Sequence, residues 1–196
     1  MPPAALQTSK NLICPRLRSR RSCHIYPVFM ADSDFHPSTP AEIRAMRAEL
    51  DPSGRRLAFT NGCFDLLHPG HVRYLQEARA LGDALVVALN SDSSVRALKG
   101  PDRPVNGELD RAEVIAALRC VDAVVIFEEP RVTRLIQQIK PHVYAKGGDY
   151  TPETLDPGEK AALDEAGTEI RILALVPGRS TTGILNRLQS PASPQS

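Results

Sequence analysis

From Thr39 onward the hydrophobic and polar positions follow two alternating periods, which predict an ordered series of helices and strands. Thr39 caps a first helix, with Pro40 at its first position and Glu42 completing a capping box. That helix ends near Leu50, ahead of the turn Asp51-Pro52-Ser53-Gly54. Residues 57–60 form a short apolar strand. A helix over 70–81 aligns Val72, Leu75, Ala78 and Leu81 and ends at Gly82. Residues 84–89 are apolar throughout, as in a strand covered on both faces. A helix over 108–119 is read from Val114, Ala117, Leu118 and the following Val121. Residues 123–127 form a buried strand, and Val132, Leu135, Ile136 and Ile139 mark a helix stopped by Pro141. A weak strand at 142–145, a polar helix at 157–166, a strand at 169–175 and a helix at 181–189 complete the series.

Five strands separated by helices predict an α/β fold: one Rossmann-like, open, parallel five-stranded sheet with helices on both faces. The pattern is absent from residues 1–38, which read as a disordered basic extension before a domain at 39–189. Residues 190–196, rich in Ser and Pro, read as a disordered tail.

Composition narrows the function. A chain of 196 residues with 42% hydrophobic and 24% charged positions fits one domain. Its longest apolar run, residues 84–89, falls far short of the roughly 20 residues of a membrane span. The formal charge is +1, yet five basic residues (Lys10, Arg16, Arg18, Arg20, Arg21) precede the first acid. Without those five, 19 basic residues of the 24 face 23 acidic ones, a net of −4. A mildly acidic body lacks the basic face that binds nucleic acid. Cys14, Cys23, Cys63 and Cys120 form no Cys-x-x-Cys pair, which points to a reduced, cytoplasmic protein without a zinc site.

In open parallel sheets, ligands bind beyond the carboxyl ends of strands, where strand order reverses. The first strand ends in Thr60-Asn61-Gly62-Cys63-Phe64-Asp65 and leads to His68-Pro69-Gly70-His71. His68 and His71, three apart at a helix start, can turn both imidazoles to one side. Gly70 admits a close ligand, and the helix start offers N–H groups to phosphate. A metal pair with Asp65 or Cys63, or two ordinary loop histidines, are the competing readings, and no metal ligand is assigned. Ser180-Thr181-Thr182 opens the last helix beside Arg179, as an N-cap, a triphosphate cradle or both. Lys99-Gly100-Pro101-Asp102-Arg103-Pro104 reads as a cationic loop, either solvated or phosphate-binding. Lys146-Gly147-Gly148-Asp149 is a turn or a nucleotide contact. Arg111, on the exposed start of a helix, reaches phosphate or solvent.

Together these segments resemble the nucleotidylyltransferase superfamily, whose signature is His-x-Gly-His after the first strand. The similarity is to its heptose 1-phosphate adenylyltransferase (ADP-heptose synthase) branch, of lipopolysaccharide precursor synthesis, and covers residues 56–189. The resemblance implies transfer of AMP from ATP, with Mg²⁺, to D-glycero-β-D-manno-heptose 1-phosphate, giving ADP-heptose and pyrophosphate by direct in-line attack. It implies catalytic roles for His68, His71 and Lys99. Asn61, Gly62, Cys63, Phe64, Gly70, His71, Lys146, Gly147, Asp149, Ser180, Thr181 and Thr182 would bind the nucleotide. Lys99, Arg103 and Arg111 would hold substrate phosphate. By family analogy alone a homo-oligomer is compatible with the chain. Many such relatives carry a fused sugar kinase, so a separate kinase is expected to supply the substrate here.

Two rival readings remain. A CTP-dependent glycerol-3-phosphate cytidylyltransferase shares the first motif, although those enzymes usually show an acidic pair after glycine where this chain has Gly147-Gly148-Asp149. A non-catalytic nucleotide-binding regulator would bind ATP without releasing pyrophosphate.

Overall fold

The capping box expected at Thr39 forms, with the Thr39 side chain accepting from the Glu42 N–H and the Glu42 carboxylate accepting from the Thr39 N–H. The computed structural model describes residues 35–148, 151, 154–174 and 178–189. The first helix, α1 (Pro40–Leu50), gives way to a 3₁₀ turn closed by Gly54 at φ 65°. There follow β1 (Leu57–Gly62), α2 (Pro69–Ala80), β2 (Ala84–Asn90), α3 (Asp92–Lys99), α4 (Glu108–Ala116) and β3 (Ala123–Phe127). The remainder is α5 (Thr133–Ile139), β4 (Val143–Gly147), α6 (Pro157–Glu165), β5 (Glu169–Leu173) and α7 (Thr181–Gln189).

All strand pairs are parallel, in the order β3-β2-β1-β4-β5. Every residue of β2 is buried, the signature of a central strand with helices above and below. Successive side chains alternate between faces. Leu85, Val87 and Leu89 join Ala58, Val124, Val143 and Ala145 in a layer packed by Leu75 and Ala78 of α2 and Ala112 and Ile115 of α4. Leu57, Phe59, Val86, Ala88 and Tyr144 alternate to the other face and are equally buried. Helices α1, α5 and α6 pack together through Ile43, Leu135, Ile136, Ile139 and Leu163. The expected α/β sheet is therefore present, and order reverses between β1 and β4.

Four local expectations need correction. The expected series has no helix between residues 89 and 99, whereas α3 forms there, capped by Ser91 and with Val95 alone among its apolar side chains fully buried. Lys99 thus closes a helix instead of opening a loop. In α4 the apolar stripe lies elsewhere: Arg111, Ala112 and Ile115 are buried, and Val114 is half exposed. Residues 35–38 also reach the body, since Phe35 packs against the core and the Ser38 N–H donates to the Val124 carbonyl at 2.7 Å. Residues 1–34 and 190–196 lie outside the described residues. No helix among those described is long and apolar enough to cross a membrane.

Candidate functional site

His68 caps α2 in an extended conformation, its Nδ1 accepting from the His71 N–H at 3.3 Å. Accepting there places the His68 ring proton on Nε2, which becomes a donor. The two imidazoles stack, with centroids 3.9 Å apart and planes 14° apart. Gly70 permits this, because a Cβ would lie 2.9 Å from His68 Nδ1 and Cε1. Phe64, held at φ 43° in the left-handed region, turns its ring edge toward His71 at 5.2 Å.

Burial depresses the His71 pKa to about 4, with the neighbouring His68 adding to the effect and the Leu66 carbonyl opposing it. Burial also lowers that of His68; its own backbone opposes this, and the charge of Arg179 reinforces it. Both shifts favour the uncharged rings at pH 7. His71 Nδ1 is the one buried side-chain polar atom among the described residues without a hydrogen-bond partner. Such an orphan costs about 1–3 kcal/mol until something pairs with it.

The start of α7 lies on the same rim. Arg179 Cβ lies 3.2 Å from where a Gly70 Cβ would be, and Thr181 Oγ1 donates to the Leu66 carbonyl at 3.2 Å. Ser180 Oγ accepts from the Gly183 N–H at 3.0 Å, so the capping role is real, while the Thr182 side chain is exposed. β4 supplies the third wall. Gly147 lets the Tyr74 ring pass, since a Cβ would meet its Cε2 at 2.8 Å. The Tyr74 hydroxyl donates to the Ala145 carbonyl at 3.0 Å and lies 2.6 Å from Thr60 Oγ1. Lys146 Nζ donates to Asn61 Oδ1 at 3.2 Å and to the Tyr144 hydroxyl at 3.0 Å, and pairs with Glu159 at 3.5 Å. Asp149 lies outside the described residues. The segments carrying Asn61, His68, His71, Lys146 and Thr181 thus meet where strand order reverses, the position favoured for ligands in such sheets.

The cations expected on phosphate behave differently. Arg111 is only 2% exposed, not on a free helix start. Its guanidinium donates to the carbonyls of Cys63 (2.6 Å), Asn90 (2.9 Å) and Asn106 (3.0 Å) and to the Asp92 carboxylate (2.7 Å). An arginine so committed ties the β1 loop to the end of β2, and a pattern count that scores every charge as solvent-facing cannot find it. Arg103 donates to the buried Asp65 carboxylate at 2.5 Å, and the Val105 N–H donates to its other oxygen at 2.7 Å. Lys99 is exposed and enters no ion pair among the described residues. The half-buried Cys63 thiol is pushed up by burial, against the opposing charges of Lys99, Arg111 and Arg103. Tyr74, Tyr144, Asn90 and Glu159 were not anticipated. Tyr74, Tyr144 and Asn90 lie within otherwise apolar strand and helix faces and Glu159 within a polar helix, and only their burial reveals them.

Residues 59–177 match the cytidylyltransferase-like family, a span of more than half the chain. The chain belongs to the cytidylyltransferase-like family. Its resemblance to the ADP-heptose synthase branch holds as well. It is 49% identical over 161 residues to "Bifunctional protein HldE" of Geotalea uraniireducens, covering 79% of this chain and 32% of that protein. Identity reaches 56% over 135 residues with the protein of the same name from Pelobacter propionicus, covering 69% and 27%. The chain therefore spans about a third of the length of these curated relatives. A lipopolysaccharide core biosynthesis protein from Thermoplasma volcanium superposes with a TM-score of 0.52 at 30% identity, covering 63% of this chain and 98% of that one.

Proposed function

We propose that this family member transfers AMP from ATP to a sugar 1-phosphate, with D-glycero-β-D-manno-heptose 1-phosphate as the sugar. A phosphate oxygen of the sugar attacks the α-phosphorus in line, a new P–O bond forms, and the bond to the β-phosphate oxygen breaks to release pyrophosphate. No proton need be removed from an already ionised phosphate, so the protein's task is alignment and charge stabilisation. The observation that carries this reading is the stacked pair His68–His71, with His68 Nδ1 engaged and its Nε2–H left to donate, on the same rim as Thr181. Neutral imidazoles donate to phosphate oxygens without titrating near pH 7. The first turn of α7 adds unpaired N–H groups and hydroxyls suited to the triphosphate. Of Lys99, Arg103 and Arg111, Lys99 alone enters no ion pair among the described residues and is available for substrate phosphate.

Among the described residues no three His, Cys, Asp or Glu side chains converge on a metal site, and Asp65 is already engaged. Magnesium enters this reading with the substrate, as the nucleotide's own counterion, and no residue is assigned to hold it.

A coupled pyrophosphate assay with ATP or CTP, each with heptose 1-phosphate or glycerol 3-phosphate, tests the proposal. Release is expected with ATP and heptose 1-phosphate. Release with CTP and glycerol 3-phosphate would assign the chain to the rival cytidylyltransferases. ATP binding without release under any pairing would make it a non-catalytic nucleotide binder.

A further inference from the structure

A polar network beneath the β1–β4 rim contains one residue that the reaction above leaves without a task. Glu159, at the start of α6, is only 3% exposed. Its Oε2 lies 3.5 Å from Lys146 Nζ and 3.4 Å from the Tyr144 hydroxyl oxygen. Both of those groups also converge on Asn61, whose Oδ1 accepts from the Tyr144 hydroxyl at 2.7 Å and from Lys146 Nζ at 3.2 Å. An ammonium group donates only. Turning the Asn61 amide over would set its NH₂ against that ammonium, so Oδ1 must face Lys146. The NH₂ edge then points away from the network. It has no hydrogen-bond partner among the described residues and is not sealed from solvent.

We propose that Glu159 is a positioning residue: by keeping Lys146 charged beside Tyr144 it fixes the Asn61 amide with its NH₂ offered to an acceptor oxygen of the bound nucleotide. This rests on the nucleotide reading of the rim. The need for Glu159 follows from burial. Lys146 is largely enclosed, and desolvation lowers its pKa, while the Glu159 carboxylate works hardest in the opposite direction. Arg131, paired with Asp156 at 3.4 Å, lowers it further, and Asp156 raises it. Removing the Glu159 charge leaves the ammonium with less compensation. Lys146 then loses its proton at a lower pH, and the amide orientation is held by Tyr144 alone.

The test is calorimetric titration of the full chain with MgATP between pH 6 and 9.5, together with an NMR titration of the Lys146 side-chain methylene beside Nζ. Glu159→Gln, which keeps size and shape, is expected to bind ATP as the unaltered chain does near pH 6. Its affinity should then fall about tenfold at a pH at least about one unit lower than in the unaltered chain, tracking the Lys146 titration. Asn61→Asp, which replaces the donor by a carboxylate, is expected to weaken ATP binding by about 10- to 100-fold at every pH. Should Glu159→Gln not fold, Tyr144→Phe removes one of the two donors holding Oδ1 and should weaken binding about threefold with Lys146 titrating normally. Glu159→Gln that folds, binds ATP and shows an unshifted pH profile would overturn the positioning role alone. A loss of thermal stability with unchanged ATP affinity would do the same. If the unaltered chain binds no ATP, the functional reading fails first and this inference falls with it.

Discussion

The two sides of the candidate crevice solve opposite problems. On the β1–β4 side, His68 and His71 are uncharged, closely stacked and incompletely hydrogen-bonded, and Thr182 is exposed. On the β1–β2 side, Arg111 and Arg103 are charged, yet their guanidinium groups are taken up by carbonyls and carboxylates of the protein itself. The side that looks electrostatically suited to phosphate is the scaffold, and the neutral side is left open to a ligand. A buried cation with a full set of acceptors has little left to give a substrate, whereas the His68 Nε2–H does.

The comparison breaks most visibly through Arg111. Arg111→Ala should destabilise the fold by about 3–5 kcal/mol, since it strips three carbonyls and the Asp92 carboxylate of their shared donor. Urea denaturation measures this, and a loss under 1 kcal/mol would return Arg111 to the ligand side. His68→Ala or His71→Ala should lower turnover about 10²–10³-fold, equivalent to about 2.7–4 kcal/mol, His68→Ala also losing its cap on α2 at about 0.5–2 kcal/mol of stability. Full activity in both well-folded variants would remove the imidazoles from the chemistry. Arg103→Ala should cost about 1.5–3 kcal/mol of stability by leaving the buried Asp65 carboxylate with one charge-assisted bond fewer. Lys99→Ala should invert that pattern: a KM increase of about tenfold for one substrate, with stability changed by less than about 0.5 kcal/mol.

A further effect is a pH slope. The folded His71 pKa of about 4 lies below the ordinary histidine value near 6.5. Between those values the unfolded chain binds more protons than the folded one, so stability rises with pH there and is lost as pH falls from about 6.5 toward 4. His71→Asn should flatten that portion of a stability–pH curve, and an unchanged slope would mean that the ring is not desolvated.

Periodicity made the strands and most helices legible because apolar spacing is what the sheet buries. All seven residues of β2 are buried, so the apolar run at 84–89 could hardly be misread. The loop motif around His68 and Gly70 was legible for a different reason: two histidines three apart, bracketing Pro69-Gly70 at a helix start after a strand, form a recognisable signature. The helix α3 escaped notice because it offers few apolar positions, and Arg111 because a charged residue in a core stripe contradicts the pattern being counted. Glu159 and Tyr144 were hidden for a third reason. Their significance lies in contacts between β4, α6 and β1 that no local spacing encodes.

The central claim is that neutral imidazoles at the β1–β4 rim meet the phosphates of a nucleotide. Nitrogen-detected NMR of the His68 and His71 rings, titrated with acid in the absence and presence of MgATP, addresses it most directly. Bound phosphate should raise the His71 pKa from about 4 by at least about one unit and shift both ring signals. Rings that titrate identically with and without saturating MgATP would contradict the claim.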